Sequence, residues 1–166
     1  MNSLSSPVGH KHLTALGRVT AFFSQLEDEL CRLAWRLLGT EPTVGQIVTA
    51  ELSFKGLLNL IGCLGQHRFG GQPLMAELEA ALTQCAKVEE DRNVLIHSNW
   101  FAGQTDDEVH RIKITAKRKS GRRVQFQQIQ PEEIEKVAQR IAETTFLVNQ
   151  VDAKYRPDSG GGLTSA

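Results

Sequence analysis

The sequence has no net charge, because nineteen Lys and Arg stand against nineteen Asp and Glu. A neutral chain has no overall field to draw it onto nucleic acid or an anionic membrane, so any such attraction must come from uneven placement. Cysteine is scarce: Cys31, Cys63 and Cys85 are odd in number, widely spaced and set in apolar helical surroundings. None belongs to a C-x-x-C pair, which speaks against a disulfide framework and for reduced core residues of a cytosolic protein. No apolar run approaches the length that crosses a bilayer, and Met1 to Pro7 lack the charged-then-apolar layout of a signal peptide. The expectation is a soluble, cytoplasmic protein with no membrane partner. Metal-ligand spacings are missing too. There is no His-x-x-Glu, Glu-x-x-His or clustered Cys and His set, and His10, His12, His67 and His110 are scattered. No metal or cofactor is expected. Without a Walker loop, a G-x-G-x-x-G or a G-x-S-x-G, nucleotide hydrolysis and acyl transfer have no motif to start from.

What the chain does have is helical periodicity over 166 residues, enough for one core without disulfides or metals. From Leu13 to Leu38, the residues Leu16, Val19, Phe23, Leu26, Leu30, Leu33 and Leu37 fall at alternating steps of three and four. That spacing predicts a long amphipathic helix stopped by Gly39. Thr40-Glu41-Pro42 starts a second helical stretch predicted to run to about Leu64. Val44, Ile47, Leu52, Phe54, Leu57, Leu58 and Ile61 would give it a broad buried surface. The loop Arg68 to Pro73 breaks the pattern. Leu74, Leu78, Ala81, Cys85 and Val88 then begin a third helix. Its seam continues into Arg92 and Leu95, so a guanidinium occupies a place where the pattern asks for a core side chain. A charge buried there unpaired is costly, so Arg92 needs a partner or a polar cleft.

After Trp100-Phe101-Ala102-Gly103 the period changes. Val109 to Ala116 and Arg123 to Ile129 alternate as strands around a Ser120-Gly121 turn, predicting a β-hairpin over about 109–129. Arg111, Lys113, Lys117, Arg118, Lys119, Arg122 and Arg123 put seven cations in thirteen positions of it. In a neutral protein this is a local basic patch, suited to an RNA backbone as well as to protecting a strand edge. Pro131-Glu132-Glu133 opens a last helix carried by Ile134, Val137, Ile141, Val148 and Val151 to about Tyr155. The expected architecture is mainly α: an up-and-down four-helix bundle over 11–156, with the hairpin inserted before the last helix. Residues 1–10 and the glycine-rich 157–166 are expected to be disordered ends.

The segment with chemistry is Arg92-Asn93-Val94-Leu95-Ile96-His97-Ser98-Asn99-Trp100. At about 100° per residue, Asn93 and His97 project within about 40° of each other, and a long Arg92 side chain can swing round to meet them. A fixed cation, an amide and an imidazole are suitable parts for handling a phosphodiester. Arg neutralises charge growing on phosphorus, while His moves a proton to or from a sugar oxygen.

This run resembles the R-N-x-x-x-H signature of the HEPN superfamily, and Ser98-Asn99-Trp100 is similar to the H-S-x-W continuation of some stand-alone members. Those members also place the motif at the end of the third long helix, before a hairpin and a final helix, so the likeness covers roughly residues 13 to 155. The resemblance implies an HEPN-like bundle acting as a homodimer, with two Arg and two His lining one cleft. It implies a metal-independent endoribonuclease in which Arg92 clamps phosphate, His97 acts as general base or acid, and Asn93 holds the geometry. Attack by the RNA 2′-hydroxyl would leave 2′,3′-cyclic phosphate and 5′-hydroxyl ends. A toxin or defence effector, restrained by an antitoxin or regulatory protein, fits that likeness. The alternative is a non-catalytic dimeric HEPN module that binds RNA, a nucleotide or a partner protein through the same cleft.

Overall fold

The computed structural model describes residues 8–103, 109–117 and 121–155. In chain order the elements are α1 (His10–Leu38), α2 (Pro42–Thr49), α3 (Phe54–Phe69), α4 (Pro73–Ile96), β1 (Asn99–Ala102), β2 (Val109–Lys117), β3 (Gly121–Gln128) and α5 (Pro131–Lys154). The protein is mainly helical with a small antiparallel sheet of order β1-β2-β3. Among the described residues no helix is long and apolar enough to cross a membrane. The chain divides into two compact units, one holding residues up to Leu26 with Cys85–Glu143, the other holding Glu27–Gln84 with Thr144 onward. Helices α1, α4 and α5 each contribute a segment to both.

The periodicity of α1 is realised as a buried stripe. Val19, Phe23, Leu26, Leu30, Leu33 and Leu37 are all buried, and only Leu16 of the predicted seam is half-exposed. Gly39 ends the helix in the left-handed region, φ 69°, with Gly39 N–H donating to Arg36 O and Thr40 N–H to Trp35 O. Such a cap suits glycine because a Cβ is disfavoured at that φ. Arg68 then donates from Nε to Leu37 O (2.8 Å), satisfying one of the carbonyls that a helix end leaves without partners.

The second helical stretch is not one helix. It breaks at residues 50–53, because Ser53 takes an extended conformation and its Oγ accepts from Gly56 N–H, starting α3 afresh. The chain thus has five helices among the described residues where four were expected. The broad buried surface also fails in its first half. Phe54, Leu57 and Ile61 are buried, but Val44, Leu52 and above all Ile47, 72% exposed, face solvent. The residues of α2 that are buried are small ones, Gly45 and Thr49. Trp35 lies so close to Gly45 that a Cβ there would come within 2.4 Å of its ring, and the indole N–H donates to Thr49 Oγ1. At Gly65 a Cβ would stand 2.2 Å from Leu78, so α3 and α4 touch at glycine. In the same unit, Arg36 pairs with Asp152, Lys154 pairs with Glu77, and the Phe69 and Tyr155 rings pack 5.5 Å apart.

The other unit packs Ala15, Val19 and Phe23 of α1, Cys85, Val88 and Leu95 of α4, Val109, and Ile134, Val137, Ala138 and Ile141 of α5 into buried positions. Helix α5 begins with Pro131 and half of a capping box, in which Glu133 accepts from Gln130 N–H. His12 is buried, its Nε2 2.9 Å from Ile129 O, so the first turn of α1 is tied to the exit of β3. The ordered chain starts earlier than expected at this end: Val8 is buried and His10 already lies in α1. Residues 1–7, the Ser120 turn and the predicted tail lie outside the described residues.

The predicted hairpin is present as β2 and β3, running in register from His110 opposite Gln128 to Lys117 opposite Gly121. The sheet has a third strand that periodicity missed. β1 pairs with β2 from Asn99 opposite Ile112 to Ala102 opposite Val109.

The cysteines differ among themselves. Cys85 is fully buried and burial pushes its thiol up to about 12, Cys31 is half-buried with its thiol also pushed up by burial, and Cys63 is exposed rather than in the core. Since only the thiolate is nucleophilic, their reactivities should separate. A thiol titration of the folded protein with peptide mapping is expected to modify Cys63 rapidly and Cys85 only after denaturant is added; rapid labelling of Cys85 in the folded chain would contradict this packing. A raised thiol pKa stabilises the fold below the ordinary thiol range, and that contribution is lost as pH climbs toward 12.

Candidate functional site at the end of α4

The buried seam of α4 runs through Cys85 and Val88 and resumes at Leu95, and Arg92 occupies the place between them. Its guanidinium carbon lies 5.0 Å from the centroid of the buried Phe23 ring on α1. A ring face is slightly negative and accepts a cation while remaining part of an apolar core. Arg92 Nη1 donates to Asn93 Oδ1 at 2.9 Å. A neutral amide oxygen holds the fork without cancelling its charge. Arg92 Nε is buried and has no hydrogen-bond partner among the described residues. An unsatisfied buried donor costs on the order of 1–3 kcal/mol, more when charged. The neighbouring carboxylate of Asp91 is engaged elsewhere, 2.9 Å from Arg140 Nη2 on α5.

His97 directly follows the last residue of α4, its backbone N–H donating to Asn93 O at 3.1 Å. It therefore stands one turn beyond Asn93, with its side chain exposed. The sequence-predicted residues are thus arranged as a half-buried Arg92 and Asn93 in direct contact, followed by an exposed His97 at the helix end.

What fixes that helix end is the rest of the motif. The last carbonyls of a helix lack intrahelical donors. Here Ser98 Oγ donates to Val94 O, and Trp100 Nε1 donates to Leu95 O at 3.1 Å. Ser98 N–H also reaches Leu95 O, at 3.4 Å. Trp100 is half-buried, a packed anchor that ties β1 to the helix it follows.

The basic hairpin residues fare differently. Arg111 is half-buried, with its Nε donating to Gln127 Oε1 at 3.1 Å and its Nη1 buried without a hydrogen-bond partner among the described residues. Burial lowers its pKa, opposed by the nearby Glu133 carboxylate. The side chains of Lys113, Lys117, Arg122 and Arg123, and all of Arg118 and Lys119, lie outside the described residues. Sequence reasoning missed Phe23 as the seat of the Arg92 guanidinium; it is one more apolar seam residue of α1, and nothing local marks it. Among the described residues no three His, Cys, Asp or Glu side chains group as a metal ion would need. Two surface depressions are lined by other residues: one of about 550 Å³ along α5 at Glu133, Lys136, Gln139 and Arg140, and one of about 400 Å³ around Arg32, Trp35 and Gln46.

Replacing Trp100 by Phe keeps the ring and removes the donor to Leu95 O. Urea unfolding is expected to show a loss of about 1 kcal/mol, with faster amide exchange at His97 and Ser98; unchanged stability and exchange would mean that the indole bond does not hold the helix end. Comparison of the chain with family models, curated proteins and solved structures gives no match.

Proposed function

We propose that the protein is a metal-independent endoribonuclease of the HEPN kind, with Arg92, Asn93 and His97 as its working residues. The observation that carries this reading is the Arg92 guanidinium, held in an apolar seam by Phe23 and Asn93 with one N–H left over, on the same helix end as an exposed histidine five residues on. A buried donor without an acceptor is costly, and a phosphate oxygen would supply that acceptor once the side chain turned to meet it. The non-bridging oxygens of a phosphodiester gain charge as the 2′-oxygen attacks phosphorus, and a preorganised fork stabilises that charge more than it stabilises the resting diester.

The reaction needs two proton transfers. One group takes the proton of the 2′-hydroxyl as the new P–O bond forms, and another gives a proton to the 5′-oxygen as the old bond breaks. Each chain brings one histidine to the end of α4. Two chains related by a two-fold axis would bring two, one as base and one as acid, and a homodimer is therefore part of the proposal. Asn93, its Oδ1 already taken by Arg92, keeps its NH₂ for orienting substrate or the facing chain. The products would be a 2′,3′-cyclic phosphate and a 5′-hydroxyl.

The test is cleavage of single-stranded and structured RNA in EDTA. His97→Ala is expected to lower the rate by about 10²-fold or more, the usual range for a lost proton-transfer group. Arg92→Ala should lose a comparable factor, and Arg92→Lys should not restore it, because a point charge cannot make the same fork to Asn93 and phosphate. Circular dichroism checks that each variant keeps its helices. Cleavage that survives both alanine substitutions, or no cleavage of any RNA by the folded wild type, would overturn the assignment; binding without cleavage would leave a non-catalytic module.

A further inference from the structure

Two apolar seams each contain one exception. From Leu16 to Leu37 the alternating seam of α1 is aliphatic except at Phe23, and from Leu74 to Leu95 the seam of α4 is uncharged except at Arg92. The two exceptions meet. The Arg92 guanidinium carbon lies 5.0 Å from the centre of the Phe23 ring, which is 4% exposed. Both residues belong to the same compact unit. A leucine at position 23 would continue the seam and bury apolar surface as its neighbours Val19 and Leu26 do, so core packing alone does not ask for a ring there. A ring adds what an aliphatic chain lacks, a slightly negative face that attracts a cation.

We propose that Phe23 is a positioning residue of the candidate site: its ring seats the Arg92 guanidinium and acts through it on the chemical step. The proposal rests on the nuclease reading of Arg92, Asn93 and His97. Three features of the contact fit the role. First, a carboxylate would hold the fork by occupying its N–H groups and cancelling its charge, and the acid next to Arg92 in sequence, Asp91, is paired with Arg140 instead. A ring has no lone pair to occupy them, so the N–H groups stay available to other acceptors, of which Asn93 Oδ1 at 2.9 Å is one. Second, a ring attracts the charge as a whole rather than one N–H, so the fork can turn toward a phosphate oxygen without leaving its seat. Such a turn is what would bring Nε, buried and without an acceptor among the described residues, to the substrate. Third, a long arginine side chain loses rotamer freedom when it is fixed, and a seat formed on folding takes that loss out of the reaction. Since the fork stabilises the transition state more than the resting diester, the ring should act on kcat rather than on KM.

The test separates the charge distribution of the ring from its bulk. Fluorine drains negative charge from a ring face with little change in size, so phenylalanines carrying one, two and three fluorines are placed at position 23 by site-specific incorporation. In RNA cleavage with EDTA, kcat is expected to fall stepwise with fluorine number, by about tenfold at three, while KM stays within about twofold. Phe23→Leu should lose at least as much. Circular dichroism should match wild type for the fluorinated chains, which keep the size and burial of the side chain. Proton NMR of arginine-labelled protein reads the contact without RNA: the Arg92 side-chain protons should be shifted upfield by the ring and move back downfield in Phe23→Leu. A kcat indifferent to fluorine number, in a chain that cuts RNA, would overturn the positioning role and leave the nuclease standing. A kcat that rises with fluorination would overturn it too, because the ring would then restrain the fork. So would Arg92 protons unmoved by Phe23→Leu. A folded wild type that cuts no RNA removes the nuclease reading and this role with it, even where the NMR contact is present.

Discussion

A guanidinium is accommodated in an apolar helix seam. Arg92 sits where Leu or Val would serve stability better, and taking its charge out of water is costly. The fold offsets that cost with two neutral partners, the face of Phe23 and the amide oxygen of Asn93. Neither is an acid. A carboxylate at hydrogen-bond distance would have stabilised the cation further and quenched its field; Asp91, next in sequence, is turned to Arg140 instead. The side chain has one buried donor, Nε, without a hydrogen-bond acceptor among the described residues.

The same helix end also determines where the sheet lies. Ser98 and Trp100 complete the carbonyls that α4 leaves open, and in doing so they turn the chain into β1. A helix stop, an exposed histidine and the first strand of the sheet are thus consecutive consequences of a few residues. The packed side of the sheet follows from Trp100, which must face the helix to reach Leu95 O. Alternation then sends Asn99 and Phe101 to the open side. Side-chain hydrogen bonds at a helix terminus are worth about 1 kcal/mol each in stability, and here they hold the turn from α4 into β1.

Where the sequence was legible, burial was periodic and local. The stripe of α1 from Val19 to Leu37, the glycine stop at residue 39, the seam from Leu78 to Leu95 with Arg92 in it, and the paired β2 and β3 all follow from spacing and turn chemistry. Where it misled, the deciding interactions were non-local or depended on small residues. Val44 and Ile47 look like core in a helical pattern, but α2 is attached through Gly45 and Thr49 against Trp35, and its large side chains point to water. Ser53 restarts a helix inside a stretch whose apolar period runs on unbroken. β1 is too short and too exposed to show alternation, and exists because β2 offers it a ladder. His12, one of four histidines with no motif, is fixed by a carbonyl more than a hundred residues away. At the candidate site, spacing marked Arg92 as a charge on an apolar seam, which is where it lies; Phe23, whose ring its guanidinium faces, carried no local mark.

The central claim is that this fork and this imidazole promote attack on phosphorus by the neighbouring 2′-oxygen. The most direct measurement is end-group analysis of RNA cut in EDTA, beside the same RNA carrying a single 2′-deoxy residue at the cleaved position. The account predicts 2′,3′-cyclic phosphate and 5′-hydroxyl ends, with cutting abolished at the deoxy position alone. Ends bearing 3′-hydroxyl and 5′-phosphate, or undiminished cutting at the deoxy position, would contradict it.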